Sequence, residues 1–197
     1  AVFGLMLFGQ TAPYQLLTKI EDTASNAILA AVPLFIFMGA MLEKSGIAER
    51  LFKAVHMWTV RLPGGLGVGA IVLGTIFAAS SGVVGATEAV IGMLAIPVMM
   101  KHHYNKSLMS GVICSSGSLG TAIPPSITVV VLGPVASVSV GSLFSGLLIP
   151  GLLMAVLFII YIIAIAHIKP SMAPRFDDEA VHYTLGQKMK VTVYALL

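Results

Sequence analysis

The organisation of this chain depends on ten residues near its middle, Gly117-Ser118-Leu119-Gly120-Thr121-Ala122-Ile123-Pro124-Pro125-Ser126. Two adjacent prolines do not fit inside an unbroken helix, because each lacks a backbone donor and disfavours helical geometry at the residue before it. The surrounding segment, residues 107–136, carries no formal charge and is apolar enough for a membrane. We therefore predict a discontinuous transmembrane helix over 107–136, broken at the double proline.

Composition places the rest of the chain in a membrane as well. Hydrophobic residues make up 57% of the 197 residues and charged residues only 10%, against about 25% charged in soluble domains. The apolar runs do not alternate as strands do, and backbone groups in lipid need partners within their own segment. An all-α polytopic membrane protein is predicted.

The basic residues, the single cysteine and the adjacent histidines do not indicate a nucleic-acid-binding protein or a metal site. Basic residues lie in short clusters between apolar runs and form no single patch, so the net charge of +3 does not indicate a nucleic-acid partner. Cys114 has no second cysteine to pair with, and His102 and His103 lack a third ligand. We predict no cofactor apart from a coupling ion.

A second interruption is predicted in residues 62–100. This run is too long for one crossing and too short for two crossings with a polar connection. Its middle, from Ser80 to Glu88, is rich in glycine and hydroxyl residues that suit a break. We predict a re-entrant helical hairpin that turns near Ser80 to Ala86.

The first third of the chain is expected to form scaffold-type helices over residues 1–61. A span is predicted from Thr23 to Leu42, followed by an amphipathic helix at 46–60 that lies in the membrane interface. Its polar side is predicted to carry Glu49, Arg50, Lys53 and His56. Its apolar side is predicted to carry Ile47, Leu51, Ala54, Val55 and Trp58. The same pattern also coats helices of globular proteins, but the apolar flanks favour the membrane.

The last third of the chain is expected to cross the membrane once and then turn back. Residues 143–167 are predicted to form a transmembrane helix with a kink at Pro150-Gly151. Residues 168–190 would form a cytoplasmic connection, and residues 191–197 would begin the next transmembrane helix. Lysine and arginine mark the loops that stay in the cytoplasm. By this rule the cytoplasmic segments are 43–61, 101–106 and 169–190.

Helix breaks inside a membrane imply a binding site, since freed backbone groups persist only where they are buried in protein or line a watery cavity. Half-helix N-termini attract anions, while carbonyls and hydroxyls suit a hard cation such as sodium. At the first break the predicted ion and substrate site comprises Ser80, Ser81, Gly82, Gly85, Thr87 and Glu88. At the second break it comprises Gly117, Ser118, Gly120, Thr121, Pro124, Pro125 and Ser126. The predicted sodium contacts are Ser81, Gly82, Gly120 and Ser126.

Glu88 is the only formal charge between Arg61 and Lys101. A carboxylate at membrane depth is a functional-site hypothesis by default, with ion or proton coupling as its role. It would equally suit the first turn of a helix, where the backbone dipole stabilises negative charge. Both roles stay open.

Four stretches resemble the large membrane subunit of tripartite ATP-independent periplasmic (TRAP) transporters, the DctM-like group. They are Pro33 to Gly39, Glu43 to Ala48, Arg61 to Gly65 and, most specifically, Gly117 to Ser126. The resemblance implies an elevator-type, sodium-driven symporter with two inverted halves, of which this chain would carry the first. It also implies a small membrane subunit, a periplasmic binding protein that delivers a carboxylated organic acid, and a place in the bacterial inner membrane.

The chain departs from this family at the tip of the hairpin. The family often has Ser-Gly-Ser-Ser there, whereas this chain has Ser80-Ser81-Gly82-Val83-Val84-Gly85. The departure puts in doubt any side-chain ligand carried over to Val83 and Val84, although their carbonyls remain. It points to a subgroup for keto acids or other monocarboxylates in place of sugar acids.

Two other functions stay open on the sequence. An intramembrane serine hydrolase would use Ser81 as its nucleophile and His167 as its base, which requires the two side chains to lie within hydrogen-bond reach. A non-transporting membrane scaffold would make both helix breaks incidental.

Overall fold

The computed structural model describes residues 11–25, 29–174, 189 and 192. In this part of the chain the secondary structure is helical, which confirms the all-α prediction. The helices are α1 (Thr11–Ala24), α2 (Ala31–Lys44), α3 (Ile47–Thr59), α4 (Gly65–Ser81), α5 (Val84–Lys101), α6 (Lys106–Ala122), α7 (Ile127–Ala136) and α8 (Val140–Ile168). Most of the predicted connection at 168–190 and of the helix at 191–197 lies outside the described residues.

Several helices match the length and composition of membrane spans. Within the described residues, α5 and α8 are each long and apolar enough to cross a bilayer. The count rises to four spans if each of the two bent helix pairs, α2 with α3 and α6 with α7, crosses as one unit. The re-entrant path predicted for residues 62–100 stays a prediction.

Helices α4 and α6 form the centre of the bundle. The side chains of Ile71, Leu73, Ile91 and Leu119 are completely buried where α4, α5 and α6 meet. Gly74 allows α4 and α6 to approach each other closely, because a Cβ added there would lie 2.6 Å from the Cβ of Ser116. Small residues are typical of helix contacts in membranes, where close packing replaces the hydrophobic effect.

Helix α8 lies on the outside of this core. It runs unbroken through Pro150, and it packs against α4, α6 and α7. Its outer side exposes large apolar side chains such as Ile149 and Ile160. A helix with so much exposed apolar surface requires lipid or further protein around it.

Helix α2 begins later than expected. The predicted span from Thr23 to Leu42 is wrong at its start, because α1 ends at Ala24 and α2 begins at Ala31. Polar residues around Ser25 favour a turn over a continuous helix. Among the residues of α2 whose burial the structure describes, Gly39 is the one that is buried.

Helix α3 packs against the protein with a side that its amphipathic pattern did not single out. Its buried residues are Ala48, Phe52, Ala54, Met57 and Thr59. Of the predicted apolar face, only Ala54 is among them, and Trp58 is 48% exposed. His56, expected on the polar side, is half-buried and stacks on Phe52 with ring centroids 6.2 Å apart.

The contact with α4 explains which side of α3 is buried. A Cβ added at Gly69 of α4 would lie 3.0 Å from Thr59 Oγ1, so the two helices approach through small residues. Trp58 lies on the other side of α3, where its Nε1 donates a hydrogen bond to Thr192 Oγ1 at 3.1 Å. The orientation of α3 follows this contact with α4, and the interfacial position of its apolar side stays a prediction.

Candidate functional site

The first break is a two-residue interruption between α4 and α5. Helix α4 ends at Ser81, and Gly82 follows with φ 62° and ψ 12°, in the left-handed region. Glycine adopts this conformation without the steric cost that a Cβ imposes. Val83 is extended, and α5 begins at Val84.

The second break contains the double proline. Helix α6 ends at Ala122, and α7 begins at Ile127 with its axis bent by 40° from that of α6. The peptide between Pro124 and Pro125 is cis. As predicted from the prolines, the helix stops here, and α7 begins after a gap of four residues.

The two breaks touch each other. The backbone amide of Ile127 donates to the carbonyl oxygen of Gly82 across the gap, at 3.4 Å. A Cβ added at Gly82 would overlap the carbonyl oxygen of Pro125. A Cβ added at Gly120 would lie 3.4 Å from the backbone nitrogen of Val84. Two half-helix C-termini and two half-helix N-termini therefore meet in one place.

Hydroxyl groups link the two sides of the first break. Ser81 is 2% exposed and Thr87 is completely buried. The Ser81 hydroxyl donates to Phe77 O at 3.0 Å and lies 3.3 Å from Thr87 Oγ1. The Thr87 hydroxyl donates in turn to Val83 O at 2.9 Å. These bonds hold the end of α4 and the start of α5 in register.

Ser126 differs from the other hydroxyl residues of the site. It is 1% exposed, and its Oγ has no hydrogen-bond partner among the described residues. It precedes α7 but does not cap that helix with its side chain. A buried hydroxyl without a partner costs about 1–3 kcal/mol. Ser126 is therefore the polar group of this site that most needs a ligand.

Glu88 lies against α6, on the side of Gly117. A Cβ added at Gly117 would overlap the Glu88 side chain, including its Cγ. Glu88 is half-buried, and no ion pair joins it to another described residue. Only glycine at position 117 leaves room for this carboxylate.

Several predicted site residues point elsewhere. Ser80, Ser118 and Thr121 each donate their hydroxyl to a carbonyl of their own helix, at 2.8–2.9 Å. Gly85 is exposed, and a Cβ added there would meet no atom within 4 Å. These four residues lie near the breaks without taking part in the contact between them.

The structure adds residues that the sequence did not single out. Ile127 supplies the amide that joins the two breaks. Gly39 of α2 lies against the first break, since a Cβ added there would lie 3.2 Å from Ser81 Cβ. The spacing of glycines on neighbouring helices was a usable signal, because small residues mark close helix contacts in membranes.

The contact between the breaks offers backbone and hydroxyl oxygens and two helix N-termini. The described residues contain no group of three or more His, Cys, Asp or Glu side chains that could hold a metal ion. Oxygen ligands of this kind suit hard cations, and helix N-termini favour anions. Two cavities in the described part of the chain, one beside Ile71 and one beside Val90, lie away from both breaks.

The arrangement around Ser81 is not that of a hydrolase. Its hydroxyl contacts Phe77 O and Thr87. The Nδ1 atom of His167 lies 2.9 Å from Ile163 O in its own helix. None of the hydrogen bonds seen among the described residues joins a histidine to Ser81, so the required nucleophile and base are not paired.

The protein is a helical bundle of membrane type in which two interrupted helices meet at their breaks. Secondary transporters typically have this architecture. The family itself follows from comparison with known sequences. Residues 1–197 match the family model of the tripartite ATP-independent periplasmic transporter, DctM component. The chain belongs to this family.

Curated relatives agree with this assignment. The chain is 34% identical over 165 residues to the C4-dicarboxylate TRAP transporter large permease protein DctM of Pseudomonas aeruginosa, covering 84% of this chain and 39% of the relative. It is 38% identical over 158 residues to the Vibrio cholerae protein of the same name, covering 78% and 35%. The ectoine/5-hydroxyectoine TRAP transporter large permease protein UehC of Ruegeria pomeroyi is 35% identical over 160 residues, covering 80% and 37%.

These names describe permeases, and none describes an enzyme. The chain spans less than two fifths of the length of each of these relatives.

Proposed function

We propose that this chain supplies one half of the ion and substrate site of a sodium-coupled importer of small organic acids. One observation carries the proposal: the two interrupted helices meet through the bond from the Ile127 amide to Gly82 O, beside the buried hydroxyl of Ser126. Helix interruptions at membrane depth are stable only where ligand or protein satisfies the freed groups.

Sodium suits the cation position because every candidate ligand is an uncharged oxygen. Ser81, Gly82, Gly120 and Ser126 lie at or beside the contact between the breaks, and each supplies a carbonyl, a hydroxyl or both. A bound cation would satisfy Ser126 Oγ, which has no partner among the described residues. The free energy lost by burying that hydroxyl would then be recovered on binding.

The N-termini of α5 and α7 suit the carboxylate of the substrate. Both helices start at the breaks, at Val84 and Ile127, and neither has a side-chain cap. A carboxylate placed there would accept hydrogen bonds from the free amides and interact favourably with the helix dipoles. Relatives named for C4-dicarboxylate transport agree with an acidic substrate.

The complete transporter would include further components. We propose a small membrane subunit, a periplasmic binding protein that delivers the acid, and movement of the binding elements by an elevator mechanism in the bacterial inner membrane. Membership of the DctM component family supports this arrangement.

The proposal is tested with the complete transporter in liposomes. Uptake of a radiolabelled organic acid is measured with an inward sodium gradient and, as a control, with an equal gradient of potassium or choline. Sodium-driven accumulation is expected. Equal uptake in all three salts would remove sodium coupling, and no uptake of any acid delivered by the binding protein would remove the transport proposal.

Two serine variants test the site itself. Ser126→Ala should raise the half-saturating sodium concentration at least tenfold, since the lost ligand is the hydroxyl without another partner. Ser118→Ala is the matched control on the same interrupted helix, because its hydroxyl already donates to Ser115 O at 2.8 Å. A shift of equal size in both variants would contradict the site.

Proline variants separate a transporter from a scaffold. Replacing Pro124 and Pro125 by alanine should abolish uptake, because the half-helix ends would fuse. Pro97→Ala is the control, since Pro97 lies inside α5 and away from both breaks. Normal uptake by the double variant would favour a non-transporting role for the break.

A further inference from the structure

A groove between three helices of the bundle lies apart from the two breaks. It has a volume of about 150 Å³ and lies between α4, α6 and α8. Its walls are apolar, with Leu108 and Val112 on α6 and with Phe158, Ile162 and Ile165 on α8. A cavity of this volume and lining accepts apolar groups of about the size of benzene.

The groove runs lengthwise along the bundle. Its lining on α6 extends from Ser107 to Ser115, which is two turns of helix and about 12 Å of rise. Gly111 lies midway along this stretch, and a Cβ added there would meet no atom within 4 Å. The missing side chain leaves room for a narrow, extended apolar group.

One end of the groove, its basic end, lies near two lysines that are not part of its lining. Ser107 and Met172 line it there. The amide of Asn105 donates to Met172 O at 3.0 Å, and the amide of Met172 donates to Lys169 O at 2.9 Å. These bonds bring Lys169 close to Lys106, the first residue of α6. Both lysines are exposed, and no ion pair joins either to another described residue.

The surface beside the groove continues into the lipid-facing side of α8. Tyr161, which lines the groove, is 59% exposed, and its neighbour Leu157 is 53% exposed. The basic end lies on the side that the positive-inside rule assigns to the cytoplasm. In this orientation the groove would run from headgroup depth into the hydrocarbon region.

We propose that this groove binds an anionic phospholipid, with one acyl chain between α6 and α8 and the phosphate at Lys106 and Lys169. The apolar interior matches an acyl chain, and the two lysines match a phosphate group in charge. Basic pockets between transmembrane helices on the cytoplasmic side are typical sites for anionic headgroups. The site is independent of sodium coupling and of the substrate.

The occupant is identified by crosslinking in the complete transporter. The photoreactive amino acid p-benzoylphenylalanine replaces Tyr161, an aromatic residue that lines the groove without filling it. The transporter is irradiated in liposomes of phosphatidylcholine with one fifth phosphatidylglycerol. An adduct with the mass of phosphatidylglycerol is expected. A crosslink to another segment of the transporter, or adducts in proportion to the bulk lipid, would overturn the proposal.

Substitutions test the two halves of the site separately. Native mass spectrometry of the detergent-solubilised transporter counts phosphatidylglycerol molecules that remain bound. Gly111→Phe should reduce this retention at least fivefold by filling the groove. Gly146→Phe on α8 is the matched control, since Gly146 is also exposed and also has open space at its Cβ position but does not line the groove.

The double variant Lys106→Gln, Lys169→Gln should lose phosphatidylglycerol at least fivefold while keeping the apolar walls intact. Lys44→Gln, at the end of α2, is its control for loss of a surface charge. Unchanged retention in the double variant would overturn the role of the lysines. Sodium-driven uptake is recorded for the same samples, so that failure of lipid binding and failure of the transport proposal are separate results.

Discussion

Substituting alanine for Gly82 should separate the two helix breaks. Gly82 has φ 62°, and a Cβ placed there would overlap the carbonyl oxygen of Pro125. The variant therefore incurs two costs, one from its own backbone conformation and one from the contact between the breaks. Gly46→Ala incurs only the first, because Gly46 has φ 73° and open space around its Cβ position.

The magnitudes follow from these two terms. Alanine in the left-handed conformation costs about 1–2 kcal/mol. Forcing an extra methyl group into a packed contact costs about 1–3 kcal/mol more. We expect Gly82→Ala to lower the free energy of unfolding by about 2–5 kcal/mol and Gly46→Ala by about 1–2 kcal/mol. The difference between the variants reports the contact between Gly82 and Pro125.

The assay is equilibrium unfolding of the purified transporter in mixed micelles, with increasing mole fractions of sodium dodecyl sulfate. Substrate uptake in liposomes is measured on the same preparations. Gly82→Ala should lose most of its uptake, because the shift of Pro125 also moves the amide of Ile127 and the hydroxyl of Ser126. Equal destabilisation of the two variants, with normal uptake in both, would refute the contact between the breaks.

Three further predictions concern close packing and burial in the bundle. Gly117→Ala should destabilise the protein by about 1–3 kcal/mol, because its Cβ displaces the Glu88 side chain. Adding Glu88→Ala should restore most of this loss in a double-mutant cycle, and additive effects would contradict the contact between the two residues. Gly74→Ala should lower the apparent melting temperature because Ser116 blocks its Cβ, whereas Gly85→Ala, with open space in the first turn of α5, should leave it unchanged or higher; the reverse order would contradict the packing of α4 on α6. Burial raises the pKa of Tyr104 to about 12. The absorbance titration of wild type minus Tyr104→Phe should therefore show a tyrosinate midpoint near 12, and a midpoint near 10 would place the phenol in water.

Several features of the fold could be predicted from local sequence. The double proline at residues 124 and 125 removes backbone donors, and α6 does end at Ala122. The glycine and hydroxyl cluster around residue 82 likewise coincides with the end of α4. Both signals are local, because they depend on which φ values and hydrogen bonds each residue allows. The ion and substrate roles assigned to these residues stay predictions.

Other features depended on contacts that no local pattern records. The amphipathic pattern of α3 placed Trp58 on an apolar side for the membrane interface, but it did not indicate that Met57 would be buried against the protein. The reason is the position of α4, whose Gly69 admits α3 on the side of Thr59. In a chain so rich in apolar residues, hydrophobicity distinguishes the sides of a helix poorly, and close approach at small residues decides which side is buried.

The amino-acid sequence by itself determined that this chain is helical, lies in a membrane and is interrupted twice, since those properties follow from composition and from the chemistry of glycine and proline. Only the tertiary structure decided that the interruptions touch, that Ser126 is left without a partner among the described residues, and that Ser118 and Thr121 bond within their own helix. A hydroxyl within a helix and a hydroxyl between helices look the same in sequence. The difference is whether the hydroxyl bonds to a carbonyl one turn away in its own helix or lies at a contact with a neighbouring helix.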